Sequence, residues 1–480
     1  MPKSPFASGD HLYLQVSDGI EKMINDEILR IGDKLPSVRV LSEEYGISMG
    51  TAFQAYYHLE GKGLIEARPK SGYYVRFNHR RFPELPGQLQ PESVSHDVSV
   101  RDMISTIYAD IAAHKNVINL ALAVPDISLL PAAKLTKSVV FALRNTVNHC
   151  ISYEHTQGNI ELRKQIARLA FNWGGKIHAD DVVVTNGCLE AITICLRAVT
   201  QPGDTVAIES PTYFGITQAI ENLGLKVVEI STSPGEGISL ENLQKAIKKF
   251  QIKACVFVPN FNNPLGSMMP DEKKKQLVDI ISRYNIPLIE DDIYGELYFG
   301  KNRPKTCKYY DTKGLVLHCS SLSKSLAPGY RIGWAMPGKY LDEVKQIKRM
   351  YNISCPTLTQ AAMAHFLTNG RYEYHLKNLR KALHTQCLKY MQAIIQYFPE
   401  DTKVSRPQGG FVLWVELNRK INAFKLRAEA MKHHISIVPG KIFSAGSSYN
   451  NYIRISFGKP WNEDVDYGLM MLGRLIKKMI

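Results

Sequence analysis

From about residue 110 onward, short uninterrupted apolar runs recur between stretches of helical periodicity. They are Val182-Val183-Val184, Val206-Ala207-Ile208, Lys226-Val227-Val228, Cys255-Val256-Phe257-Val258, Pro287-Leu288-Ile289 and Leu315-Val316-Leu317. Strands that read as continuous hydrophobic runs, without alternation, are buried on both faces, which requires helices on either side of the sheet. The rhythm therefore predicts an α/β fold with a large, mainly parallel sheet. After Pro337 the chain becomes helix-rich, with further strands expected at Phe411–Leu417, Ile435–Val438 and Ile453–Phe457. That pattern suits a smaller α+β lobe.

The first 75 residues follow a different plan. Val16, Ile20, Met23, Ile24 and Ile28 lie on one helical face, within a helix expected over 12–30 and stopped by Gly32-Asp33. A second short helix is expected over 38–45, with Ser37 as N-cap after Pro36. Gly46-Ile47-Ser48 makes a turn, and a third helix from Met49 carries Ala52, Ala55, Tyr56 and Leu59 on one face up to Gly61-Lys62-Gly63. Two short β patterns, 64–67 and 73–75, flank Arg68-Pro69-Lys70-Ser71-Gly72. Helix, helix, turn, helix and hairpin make a winged helix-turn-helix. The same spacing occurs in protein-interaction modules with a solvated basic hairpin, so the order of elements alone leaves both open.

The motifs Leu35-Pro36-Ser37-Val38-Arg39, Leu41-Ser42, Gly46-Ile47-Ser48, Ala55-Tyr56, Leu59-Glu60, Gly63-Leu64-Ile65 and Gly72-Tyr73-Tyr74-Val75 resemble the GntR-type DNA-binding domain. The resemblance implies a double-stranded DNA operator as partner. It implies contacts from Lys34, Ser37, Arg39, Ser48, Thr51, Gln54, Arg68, Lys70 and Gly72. Met49 stands where the family often has a basic residue, which moves base readout toward Ser48, Thr51 and Gln54.

Charge alone does not single out this domain. The net charge is +14, which suits a polyanionic partner. Residues 1–81, however, carry 11 basic and 10 acidic side chains, leaving 48 and 35 for the rest. No apolar run approaches the roughly 18 residues of a membrane span, and the start of the chain does not read as a signal peptide. The eight cysteines are scattered, without a CxxC pair. They read as reduced thiols in a cytoplasmic protein and as neither bridges nor a metal site. Residues 78–109 lack apolar periodicity at their start and contain Pro83, Pro86 and Pro91, as a semi-extended linker would. The expected organisation is a DNA-binding domain over 1–77, a linker over 78–109 and a core domain over 110–480.

The core carries polar turns directly after its apolar runs. Ser320-Ser321-Leu322-Ser323-Lys324 leads to Arg331, setting hydroxyls, a lysine and an arginine in one loop. A lysine that forms a Schiff base needs a site favouring its neutral amine, and hydroxyls with an arginine suit a phosphate. Thr185-Asn186-Gly187-Cys188-Leu189 sits at a strand-to-helix junction that offers N–H donors to an anion. Taken singly, that turn also reads as an ordinary helix start. Tyr213 follows one run and Asn262-Asn263-Pro264 another; strand-end tyrosines are often only half-buried core residues. Glu290-Asp291-Asp292 follows Pro287-Leu288-Ile289, and three adjacent acids are costly to bury without a cation nearby.

Ligands of open α/β sheets bind at the carboxyl ends of strands, where all five turns fall. Their order resembles fold type I pyridoxal-phosphate enzymes, over about residues 110–480. The resemblance implies pyridoxal 5'-phosphate as cofactor, with Lys324 forming the Schiff base and Asp291 facing the ring nitrogen. Asn263 and Tyr294 are implied at the phenolic oxygen and Tyr213 against the ring. Gly187, Cys188, Leu189, Ser321, Ser323 and Arg331 are implied at the phosphate. Tyr153 matches the tyrosine lent by the partner subunit, which implies a head-to-tail homodimer. Arg454 matches the arginine that grips a carboxylate, although a strand-edge surface arginine has the same local pattern. Cys188 replaces the usual hydroxyl, and Ala123 the usual glycine on the substrate side.

The two halves together resemble the MocR subfamily of bacterial transcriptional regulators. This resemblance implies a regulator with weak or no transaminase activity. Its core senses the cofactor or a small amino compound through an aldimine, and each winged helix rests near the partner's large domain. The other reading is an active aminotransferase with an appended DNA-binding domain; a scaffold with a dead pocket is a third.

Overall fold

The computed structural model describes residues 12–26, 28–29, 33–68, 71–75, 83–91, 95, 117–145, 151–368, 370–446 and 448–480. The winged helix-turn-helix forms as the spacing predicts. Helices α1 (Leu12–Asn25), α2 (Val38–Tyr45) and α3 (Met49–Gly61) precede strands β1 (Ile65–Arg68) and β2 (Gly72–Val75), which pair antiparallel. Val16, Ile20, Ile24, Leu41, Ala52, Tyr56, Leu59 and Val75 close its core. Ser37 and Ser48 cap α2 and α3, accepting hydrogen bonds from Val40 N and Thr51 N. The helix expected over 12–30 is too long: α1 ends at Asn25, and Ile28 beyond it is exposed. The helical apolar pattern continued past the point where Ile24 completes the packed face.

In chain order the core strands are β3 (Ile118–Asn119), β4 (Val183–Thr185), β5 (Thr205–Ser210), β6 (Lys226–Ser233), β7 (Gly237–Ile238), β8 (Ile252–Phe257), β9 (Leu288–Asp291), β10 (Val316–Ser321), β11 (Gly333–Met336), β12 (Lys403–Val404), β13 (Val412–Glu416), β14 (Ile435–Ser436), β15 (Val438–Pro439) and β16 (Tyr452–Ser456). Eight of them build one sheet in the order β4-β11-β10-β9-β8-β5-β6-β7. The central pairs are parallel, whereas β11 runs antiparallel to both its neighbours. The sheet is therefore mixed but mostly parallel. Because β11 reverses between β10 and β4, those two point the same way, so β4, β5, β8, β9 and β10 all end on one edge.

Side-chain alternation explains the uninterrupted apolar runs. Ile208, Val256, Ile289 and Leu317 pack under helix α4 (Cys188–Val199) through Ile192, Cys195 and Leu196. Ala207, Cys255, Leu288 and Val316 face Leu277 and Ile281 on the other side. Each large side chain so buried contributes about 1.5–3 kcal/mol. The smaller lobe has the sheet β12-β13-β16-β15, and its core is continuous with helix α5 (Arg371–Tyr397). The seven described cysteines are buried free thiols. No helix among the described residues is long and apolar enough to cross a membrane.

Residues 83–91 are fastened to the core. Val404 N donates to Glu84 O at 3.0 Å, Gly87 N to Glu416 Oε2 at 2.7 Å, and Gln88 Nε2 to Ser231 Oγ at 2.9 Å. This part of the expected linker is a strap rather than a free spacer. The winged helix rests on α5 of its own chain: Tyr57 and Thr385 share a hydroxyl hydrogen bond at 2.9 Å.

Candidate functional site

The carboxyl edge of the sheet opens into a cavity lined by Cys188, Leu189, Tyr213, Asn263, Asp291, Tyr294, Ser323, Lys324, Arg331 and Arg454, with Leu122, Ala123 and Val124 on its outer side. Ten of the residues singled out from sequence thus share one space. Gly187 lies behind it, at φ 97°, as the N-cap of α4. That conformation is one only glycine adopts freely, and a Cβ here would collide with the Arg331 guanidinium. Arg331 Nη2 donates to Asn186 O at 2.8 Å, and its Nη1 lies 3.4 Å from Ser323 Oγ. The helix N-terminus, a hydroxyl and a guanidinium therefore meet at one end, which is the donor set an anion needs.

At the other end, Lys324 Nζ donates to Ala123 O at 2.6 Å. Burial, then the nearby Arg454 guanidinium, pull this amine down to about 8. Arg454, on β16, donates from Nη1 to Asn263 Oδ1 at 3.1 Å and from Nη2 to Ala121 O, with its guanidinium over the Phe443 ring. It is buried, which excludes the strand-edge surface reading.

Asp291 ends β9 beneath the cavity. Burial raises its carboxyl to about 6, and Ile293 N at 3.0 Å and Cys188 Sγ at 3.3 Å both donate to its Oδ1. The thiol thus points at Asp291 and not toward the anion end. Burial likewise pushes the Tyr294 hydroxyl upward. Glu209, on β5, is raised to about 8 by burial and accepts from Val258 N and Asn262 Nδ2, holding the turn that presents Asn263.

The cations required by the acidic triplet are on the opposite face. Asp292 pairs with Arg303 and lies 3.3 Å from His318 Nε2, while Glu290 accepts from the Cys307 and Lys308 main chain. Nothing in the spacing of Arg303 or His318 announced these roles. Ser321 accepts from Ser323 N at 3.2 Å and shapes the loop without lining the cavity. Tyr153 is exposed and outside it. In the winged helix, Lys34, Ser37, Arg39, Ser48 and Gln54 are exposed; Arg39 pairs with Glu43, and Ser48 and Thr51 share a hydroxyl hydrogen bond of 2.8 Å. The side chain of Arg68 and all of Lys70 lie outside the described residues.

Three cations around a cavity whose floor is one carboxylate, with a glycine-lined helix N-terminus opposite, suit an anionic aromatic aldehyde such as pyridoxal phosphate. The fold and site together define a fold type I aminotransferase core joined to a winged helix. The chain belongs to the aminotransferase class I and II family, which matches residues 115–471, and carries a domain of the gntR family of bacterial regulatory proteins over 12–75. This is the architecture of MocR-type regulators, and membership implies dependence on pyridoxal phosphate. The HTH-type transcriptional regulator YdcR of Escherichia coli is 37% identical over 470 residues, covering 98% of this chain and 99% of the relative. YjiR of the same organism is 35% identical, covering 97% and 98%. Among solved structures, Pyrococcus horikoshii kynurenine aminotransferase, in complex with PMP, superposes with a TM-score of 0.73 at 27% identity, covering 81% of this chain and 97% of that one.

Proposed function

We propose that the protein is a cytoplasmic, homodimeric transcriptional regulator that binds operator DNA through residues 1–77. Its core, 110–480, holds pyridoxal 5'-phosphate and senses the cofactor or a small amino compound there; 78–109 connects the two. The convergence of Lys324, Asp291, Arg331 and Arg454 on one cavity, in a chain that also carries a winged helix, is the observation that carries this reading.

When bound, the cofactor supplies an aldehyde that captures amines and a ring that withdraws electrons. Lys324 would be its covalent anchor, and its lowered basicity keeps a usable fraction of neutral amine. Asp291 would hold a proton on the ring nitrogen, and the Cys188 thiol hydrogen-bonds that carboxylate. Asn263 and Tyr294 would bind the phenolic oxygen and Tyr213 cover the ring. The main chain of Gly187, Cys188 and Leu189, with Ser323 and Arg331, would take the phosphate, and Ser321 would keep their loop in shape. Tyr153 would reach the site of the partner subunit. Arg454, now bonded to Ala121 O, would turn its guanidinium to an effector carboxylate. On DNA, the exposed Gln54 would read a base edge, with Lys34, Ser37, Arg39, Ser48, Thr51, Arg68, Lys70 and Gly72 around it.

The test is cofactor binding by the purified protein. It should develop a visible absorption band with pyridoxal phosphate, and borohydride should fix the cofactor to Lys324. A protein that stays colourless, or a Lys324→Ala variant that yields the same fixed adduct, would contradict the reading. Rapid transamination without any effect on DNA binding would favour the aminotransferase alternative.

A further inference from the structure

The loop that carries Lys324 is bonded directly to the start of α5. Tyr372 and Ser325 share a hydroxyl hydrogen bond of 2.7 Å, and His375 Nε2 donates to Ser325 O at 2.7 Å. Both α5 residues are buried. Ten residues beyond His375, the same helix meets α3, the recognition helix of the helix-turn-helix. Besides the Tyr57–Thr385 bond, Lys381 Nζ sits 5.2 Å from the centre of the Tyr57 ring. A Cβ at Gly61 would lie 3.0 Å from Leu388 Cδ1, so α3 packs closely on that leucine, which would have to give way to a side chain.

Helical geometry makes these two sets of contacts opposite stripes of one rod. At about 100° per residue, Leu376, Leu379, Leu383 and Tyr390 share the face of Tyr372, all buried in the core. Lys381, Thr385 and Leu388 fall roughly half a turn away, the face that α3 covers. From Tyr372 to Leu388 the rod spans about 24 Å at 1.5 Å per residue. Its core stripe is packed along its length, so the Ser325 contacts and the α3 contacts belong to one continuous helix.

Resting on the regulatory reading above, we propose that α5 is the element through which the state of the Lys324 loop reaches the recognition helix. Ser325 is the input, and the Tyr57–Thr385 contact is the output. Contacts alone define a route but not coupling; coupling is measured by how variants along it change the effect of one ligand on another. The quantity read is the ratio of operator affinities of cofactor-loaded and apo protein, with the operator recovered by selection from a random duplex pool.

Tyr372→Phe removes the input hydroxyl and Tyr57→Phe the output hydroxyl, each keeping its ring. Each is expected to bring the ratio to less than about half its wild-type value, and the double variant to bring it no lower than the stronger single one. Apo affinity and the visible band should stay at wild-type values. Tyr374→Phe, on the exposed side of α5, should keep the full ratio. If Tyr372→Phe does not fold, Ser325→Ala removes the same bond. A wild-type ratio kept intact by the input and output variants overturns the proposal while leaving the regulatory reading in place, and so does an equal loss in Tyr374→Phe. A wild-type ratio of one both with and without added amino acids and amines contradicts both.

Discussion

Lys324 sets the chemistry at the residue scale. Folding disfavours its ammonium form, so this group weighs against the fold below about pH 8. That cost is relieved as pH rises toward the unfolded value. The neutral amine is the nucleophile. The rate of covalent cofactor uptake by apo protein should therefore rise with pH through a midpoint near 8. A midpoint near that of free lysine, ~10.4, would contradict the geometry. Asp292 has the opposite sign. Burial opposes its charge, but Arg303 and His318 hold its carboxyl well below the usual range. Its contribution is present above the ordinary aspartate pKa and lost as pH falls. Arg303→Met removes the arginine from a buried carboxylate that keeps its His318 and Asn260 contacts, and should cost about 3–5 kcal/mol in urea unfolding at neutral pH, with the deficit shrinking in acid. Lys324 and Asp291 were legible because turn residues at strand ends have few structural reasons to be charged; Arg454, inside β16, was legible only through the family resemblance. Arg303 was not, because a counter-ion can come from any distance along the chain, and the sequence shows only that one is needed.

Elements were legible to the extent that their periodicity was set by packing. The β runs matched because both faces of the sheet are covered. The excess length assigned to α1 came from Ile28, which continues the helical period without a surface to pack on. The β11 reversal had no signal, since a short buried strand reads alike in either direction. Ser48 shows how an element changes the reading of a residue: as the cap of α3, Ser48→Ala should lower stability by about 1 kcal/mol along with any loss in DNA binding. Gln54→Ala, on the exposed face of α3, should leave stability unchanged and relax preference at one base position by about 1–3 kcal/mol, read by competition among operator variants. The strap is a further element-scale feature. Glu416→Ala removes the acceptor of Gly87 N. Losing a bond worth about 1 kcal/mol should raise proteolytic cleavage within 83–91 roughly fivefold. Unchanged cleavage would mean the strap is held by its other contacts. Its proline-rich composition gave no sign of docking, because most of its bonds use main-chain groups that every sequence has.

At the scale of the whole molecule, a winged helix and a cofactor cavity share one chain, and the winged helix touches α5 of the core. Two binding sites on one folded unit exchange free energy reciprocally: whatever cofactor binding does to operator affinity, operator binding does to cofactor affinity. Couplings of this kind are about 1–3 kcal/mol, or roughly 5- to 150-fold. The presence of both sites was legible in the sequence, because each is a compact set of motifs. The contact between them was not, because it depends on how two surfaces far apart in the chain come together. The central claim is that the core regulates the winged helix. Its most direct measurement is an operator titration at one fixed salt concentration with apo protein, cofactor-loaded protein and Lys324→Ala, with and without added amino acids and amines. The account predicts that loading changes operator affinity at least several-fold and that Lys324→Ala, with apo affinity near wild type, abolishes the change. Superimposable curves for apo and loaded protein under every condition would contradict it.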